Sequence, residues 1–317
     1  MSNTVNPLVS ILMPAYNSEE FISQAIDSVL NQTYATWELI IADDGSKDET
    51  RKIINSYSDE RIKCFHNNEN KGYLKTWNRL ISKANGEFIT FLDSDDTCPN
   101  TRLELLLKAF DDNPTIGVVG SNFSYTDLNN KVTATSDFAL SHEVVYNNLP
   151  NKYNFIGSAL MIKREVYEKV GGYNEFFNRI GAEDHYWMFL IMEQFEFINV
   201  PQVLYFYRFN PHSVMGDLSE NSEKLVVDKL LRHLFNERKE KGSDSLENAR
   251  IDELKKWLKK ELSKVGEYKH QQLNFIAKRR YYEGHKELAL KALRKAILLA
   301  PYKINYIKDY FYFKRSK

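Results

Sequence analysis

The run Phe88-Ile89-Thr90-Phe91-Leu92-Asp93-Ser94-Asp95-Asp96 constrains this chain more than any other stretch. An apolar strand ends abruptly in three carboxylates spread over four residues. Like charges this dense repel, and burying them unpaired is costly. A divalent cation removes that cost. All-oxygen donors favour Mg²⁺ or Mn²⁺, ions that keep positions open for water and substrate phosphates. A solvated acidic turn before a helix starting near Asn100 or Thr101 is the other reading of the same residues.

Two more strand ends carry polar sets. Val9-Ser10-Ile11-Leu12-Met13 runs into Pro14-Ala15-Tyr16-Asn17, and Glu38-Leu39-Ile40-Ile41-Ala42 runs into Asp43-Asp44-Gly45-Ser46. Between them Phe21, Ile22, Ala25, Ile26, Val29 and Leu30 recur at helical spacing. Strands alternating with helices predict a parallel α/β sheet. Ligands of such sheets collect outside the carboxyl ends of the strands. Three polar clusters at successive strand ends therefore converge on one cleft.

In order and spacing, VSILMPAYNSEEFISQAIDSVLNQTY (9–34), WELIIADDGSKDET (37–50), NKGYLKTWN (70–78), NGEFITFLDSDD (85–96) and GGYNEFFNRIGAEDHYW (171–187) resemble family 2 glycosyltransferases. The resemblance covers roughly the first two-thirds of the chain. It implies the α/β GT-A fold, a Rossmann-like, mostly parallel sheet with flanking helices. It also implies an inverting, metal-dependent transferase using Mn²⁺ or Mg²⁺. The donor would be a nucleotide sugar, UDP-linked by default. The acceptor would be a hydroxyl of a glycan or lipid-linked saccharide, in bacterial surface polysaccharide synthesis. By resemblance Pro14, Ala15, Tyr16 and Asn17 border the nucleotide, with the Tyr16 ring placed to stack on the base. Asp44 accepts the N3–H of uracil, while Asp43 reads equally as a turn former before Gly45. Asp95 binds the metal, and Asp93 lies near ribose or metal-bound water. Asp184 is the base that deprotonates the acceptor hydroxyl, one carboxylate sufficing for in-line inversion. N-capping of its helix is the structural alternative. Arg208 is a phosphate clamp, and His212 completes the metal shell or touches phosphate. Many members of the family it resembles carry Ala-Arg-Asn where this chain has Thr76-Trp77-Asn78. The missing Arg leaves Lys71 or Arg79 to compensate, or to lie in solvent.

At 317 residues and 43% hydrophobic content the chain supports a real core and more than one domain. The expected division is a catalytic domain over 1–220, its nucleotide-binding half to about 110 and its acceptor-side half beyond, then a helical extension over 221–317. The zero net charge hides an asymmetry. Residues 1–220 hold 18 Lys+Arg against 30 Asp+Glu, and residues 221–317 hold 25 against 13. Tyr281 to Pro301 resembles a single tetratricopeptide-type hairpin, short of an array. Beyond it Tyr302, Tyr306, Tyr310 and Phe313 recur at helical spacing among Lys303, Lys308, Lys314 and Arg315. Such a stripe either packs on the hairpin or lies on an anionic bilayer as a peripheral contact. The polar Met1–Pro7 predicts no leader, no stretch predicts a membrane span, and Cys64 and Cys98 alone suit a reducing cytoplasm. The reading is a cytoplasmic enzyme with no nucleic-acid partner, its oligomeric state open. A sugar-nucleotide nucleotidyltransferase would favour a Gly-rich basic loop where Pro14-Ala15-Tyr16-Asn17 stands. A non-catalytic interaction protein would rest on the helical tail.

Overall fold

The structure, a computed structural model, describes residues 6–149, 154–178, 180–210, 226–282 and 284–315. It divides into two compact units, residues 1–130 with 135–210, and residues 131–134 with 211–317.

The chain opens as β1 (Val9–Ala15), α1 (Ile22–Leu30), β2 (Trp37–Asp43), α2 (Thr50–Asn55), β3 (Ile62–His66), α3 (Tyr73–Ile81), β4 (Phe88–Phe91) and α4 (Arg102–Asp112). β1 and β2 are buried at every position, as strands covered on both faces must be. Strands β3, β2, β1 and β4 lie side by side, all parallel. Ala15 sits level with Asp43, and Leu12 with Phe91. The three polar strand ends thus leave the same edge of the sheet.

The chain continues as β5 (Ile116–Thr126), β6 (Val132–Thr135), α5 (His142–Asn148), β7 (Met161–Lys163), α6 (Arg164–Val170), α7 (Glu183–Met192) and β8 (Glu196–Arg208). β7 runs antiparallel between β4 and β5, and β8 pairs parallel with β5. The polar stretch after Gly120 has the composition of a surface loop, yet β5 continues through it to Thr126. Its polar side chains are satisfied: Asn122 Oδ1 accepts from Ser136 Oγ at 2.8 Å and from the Phe138 amide at 2.9 Å. The apolar run Phe155–Ile162 is strand only at its end, where β7 begins, because Gly157–Ala159 is a 3₁₀ turn. A Cβ on Gly157 would lie 2.9 Å from the Asp184 side chain.

The second unit holds α8 (Val227–Lys241), α9 (Ile251–Ser263), α10 (Val265–Tyr282), α11 (Lys286–Leu299) and α12 (Ile304–Arg315). Gly242, at φ 74, closes α8 in the left-handed conformation that glycine adopts without penalty. Ala277 on α10 meets Ala289, Ala292, Leu293 and Ala296 on α11 as one buried cluster, the close helical hairpin that small residues permit. Among the described residues, no helix is long and apolar enough to cross a membrane.

Candidate active site

Short polar links lock the three strand ends together. The Asp44 amide donates to the Ala15 carbonyl at 2.8 Å. Asn17, at φ 49, donates its amide to Ser46 Oγ and accepts from the Lys47 amide, both at 2.9 Å. Ser18 Oγ lies 2.7 Å from Ser94 Oγ, tying the β1 end to the acidic turn. Pro14 and Ala15 are buried backbone of this junction. Tyr16 stands out from it, 46% exposed, so its ring face is available.

Asp43 and Asp44 divide their work. Asp43 is fully buried and bonds the Ser46 amide and Arg51 Nε, at 3.0 and 2.8 Å. Burial raises its carboxyl, but the bonds from Ser46 and Arg51 outweigh this and hold it low. It builds the turn. Asp44 Oδ1 accepts from Asn67 Nδ2 at 2.7 Å and the Lys71 amide at 2.9 Å, and Oδ2 from the Gly72 amide at 3.0 Å. Each carboxylate oxygen offers two lone-pair sites. Among the described residues Oδ2 accepts one bond, so one of its two acceptor sites is not used by them. Gly72 reaches this bond at φ 94, where a Cβ would also strike Asn178 Oδ1 at 2.7 Å. Lys71 serves through its backbone, while its exposed ammonium pairs with Glu69. Arg79 bonds Asn67 Oδ1 and so backs the residue that holds Asp44.

The acidic turn splits similarly. Asp96 is 2% exposed and points inward, accepting from Tyr205 Oη and the Arg208 amide, each at 2.7 Å. It fastens β8 rather than the turn that follows it. Asp93 and Asp95 keep a less buried position. Burial, then the Asp95 charge, pushes the Asp93 carboxyl up to about 7. Burial also raises Asp95, against a 3.0 Å bond from Asn210 Nδ2. Two hard, mutually repelling carboxylates at a strand end fit a divalent cation that draws its remaining ligands from water and phosphate. Among the described residues no three His, Cys, Asp or Glu side chains form a cage. His212 lies outside the described residues.

Arg208 is 2% exposed, and three of its five N–H groups bond the protein. Nε donates to the Asp95 carbonyl at 2.7 Å and Nη2 to Gln24 Oε1 at 2.9 Å, and the group lies over Phe21. A phosphate would have to displace these partners to take those three N–H groups. Trp77 is also interior. Its ring meets Phe91 edge-on at 5.0 Å, and Phe91 meets Trp187 at 6.1 Å, so α3, β4 and α7 share one aromatic core.

Asp184 opens α7, after Gly181 and Ala182 in left-handed conformations. Its Oδ1 accepts from the His185 amide at 2.8 Å and lies 2.8 Å from His185 Nδ1. Burial raises its carboxyl, but the His185 charge and bonds, with the Gly157 amide, leave it lowered. Glu183 moves the other way, to about 8, through burial and then the Asp184 charge. The pair therefore carries one charge near neutrality, on Asp184. The end of β4 is tied to the head of α7 through the 3₁₀ turn: one guanidinium, that of Arg102, bonds both the Phe91 and Ser158 carbonyls, and the Cβ position of the neighbouring Gly157 lies 2.9 Å from Asp184. The Asp184 charge is also among the causes that raise Asp93.

One residue of the site gave no sequence signal. Arg102 is 1% exposed, and its Nη2 donates to Thr90 Oγ1, the Phe91 carbonyl and the Ser158 carbonyl at 3.0, 2.9 and 2.9 Å. It clamps the end of β4 to the 3₁₀ turn beneath Asp184. The one available hint was its place in a helix's first turn, where cations are disfavoured.

Comparison with known proteins gives concordant matches. The family model for glycosyl transferase family 2 matches residues 10–171. An Escherichia coli protein, UDP-Glc:alpha-D-GlcNAc-diphosphoundecaprenol beta-1,3-glucosyltransferase WfgD, is 41% identical over 142 residues, 45% of this chain and 54% of its own. The E. coli enzyme of the same description, WfaP, is 31% identical over 213 residues, 66% of this chain and 80% of its own. The chain spans about half the length of the first relatives it matches. A crystal structure of S. aureus TarS 1-349 in complex with UDP-GlcNAc superposes with a TM-score of 0.61 at 18% identity, over 95% of this chain and 89% of that one. At that identity the likeness concerns the fold, a GT-A sheet with flanking helices.

Proposed function

Because this chain belongs to glycosyl transferase family 2, we propose that it is an inverting glycosyltransferase that moves a sugar from a UDP-linked donor to a hydroxyl of a lipid-linked saccharide. The observation that carries this reading is the meeting of the acidic turn with the Asp184 carboxylate, on a sheet edge that also presents Asp44. In this reading Tyr16 stacks on the base, and the last acceptor site of Asp44 Oδ2 takes the uracil N3–H. Asp95, with Asp93 beside it, would hold Mn²⁺ or Mg²⁺, and His212 is a further candidate ligand. When bound, such an ion supplies Lewis-acid neutralisation of the departing diphosphate.

Asp184, ionised at neutral pH, takes the proton of the acceptor hydroxyl. That oxygen forms a bond to the anomeric carbon from the face opposite the nucleotide. The bond from carbon to diphosphate breaks, and UDP leaves with the electron pair. Glu183 keeps its proton, so only one carboxylate of the pair competes for the acceptor's. His185 orients Asp184, and Gly157 lets the backbone approach it closely. The two E. coli relatives are named for a UDP-Glc donor and a diphosphoundecaprenol-linked acceptor. We infer the same classes here, in cell-envelope polysaccharide synthesis at the cytoplasmic face. The test is UDP release that depends on a lipid-linked acceptor. Asp184→Asn keeps shape and loses the base, so turnover should fall by about 10²-fold or more with donor affinity retained. Wild-type turnover in this variant would pass the base role to Glu183.

A further inference from the structure

The α11–α12 end of the second unit carries apolar side chains that its own core does not use. Tyr306 and Phe313 turn inward, 4% and 2% exposed. His270 Nδ1 lies 2.9 Å from Tyr306 Oη, and Tyr281 stacks on Phe313 at 3.9 Å. Outward lie Leu298 at 81%, Tyr302 at 70%, Ile304 at 66%, Tyr312 at 63% and Phe311 at 49% exposure. The inward half of this aromatic stripe packs on the hairpin, and the other half faces out from the same helix.

On α12, Ile304, Lys308, Phe311 and Arg315 follow one another at spacings of four, three and four. They form a single exposed stripe opposite Tyr306 and Phe313. Apolar and cationic side chains alternate along it. Across 286–315 the only acids are Glu287 and Asp309, against eight Lys and Arg. We propose that this face docks α12 flat on an anionic phospholipid bilayer. Ile304, Phe311, Tyr302 and the Leu298–Leu299 tip enter the headgroup region, with Lys308 and Arg315 against lipid phosphates. The interleaving separates this surface from a protein-binding one. Protein interfaces gather apolar residues at the centre and are depleted of lysine, whereas at a charged bilayer long cationic side chains reach the headgroup phosphates while their apolar neighbours enter the boundary beside them. Tyrosines with an apolar body and a polar tip suit the same boundary.

The test uses the full chain and vesicles of phosphatidylcholine, with or without an equal part of phosphatidylglycerol, in about 0.1 M and about 1 M salt. The vesicles contain neither donor nor acceptor lipid, so the result does not depend on the proposed transfer activity. Binding should require phosphatidylglycerol and weaken at high salt. Each cation near such a surface is worth roughly fivefold in partition. Lys308→Glu with Arg315→Glu should therefore cost about 25-fold or more. Ile304→Ser with Phe311→Ser, both on the outer face, should cost at least about tenfold. Both variants should keep the wild-type circular dichroism and melting temperature. Equal binding to neutral vesicles, no binding at all, or unchanged binding by both variants overturns the proposal. So does loss of a dimer by the serine variant without vesicle binding by the wild type, or preference for an oligonucleotide over the vesicles.

Discussion

Replacing Arg102 with Met tests whether the site rests on a buried cation. The guanidinium Nη2 has two hydrogens facing three oxygens, on Thr90, Phe91 and Ser158. Two charge-assisted bonds at about 1.5–3 kcal/mol each give roughly 3–6 kcal/mol gross. Methionine fills most of the volume and leaves two buried carbonyls short of a donor. The net loss should be about 2–5 kcal/mol, roughly 1–3 for each carbonyl left without its donor, less what the methionine regains in packing. For a unit of this size each kcal/mol moves the melting temperature by about 2–4 °C, so a fall of about 10 °C is expected. Arg102→Lys keeps a donor on a shorter fork and should fall between the two. Thermal unfolding by circular dichroism reads both. A fall of less than about 2 °C for Arg102→Met, measured against the same slope, would refute the clamp.

Asp95→Ala should abolish the Mn²⁺-dependent part of UDP-sugar binding in calorimetry, and equal affinity with and without Mn²⁺ in wild type and variant would sink the metal assignment. Asp93, raised to about 7 by burial and the Asp95 charge, holds its proton below that pH, and an entering ion must displace it. Mn²⁺ affinity should then fall by up to about tenfold per pH unit below 7 and level off above it; a flat profile across that range contradicts the shift. Gly157→Ala would set a methyl 2.9 Å from Asp184. Turnover should fall by about tenfold or more with donor affinity unchanged, and wild-type turnover would mean that the base can move aside freely.

Much of the catalytic unit was legible because its signals are local. β1, β2 and β4 announce themselves as apolar runs ending in polar turns, and α1 by its spacing. Arg102 was not legible, because its meaning lies in Ser158, 56 positions away. The polar continuation of β5 resembled a loop because Asn122 and Ser124 find their partners only when residues 135–138 fold back beside them. Trp77 read as a gap in a family pattern, and only three-dimensional packing on Phe91 gives it a purpose. Arg208 shows the converse. Its residue type suggested a ligand contact, while the folded chain surrounds it with its own acceptors.

The inward carboxylate of the acidic turn bears on how such enzymes can be recombined. Asp96 is bolted to Tyr205 and to the backbone of Arg208, more than a hundred positions later. A chimera that takes its first half from this chain and its acceptor-side half from a relative separates that bolt from its socket. The transplantable module is therefore the turn together with the last strand, and a crossover point between them inherits a buried carboxyl without its donors.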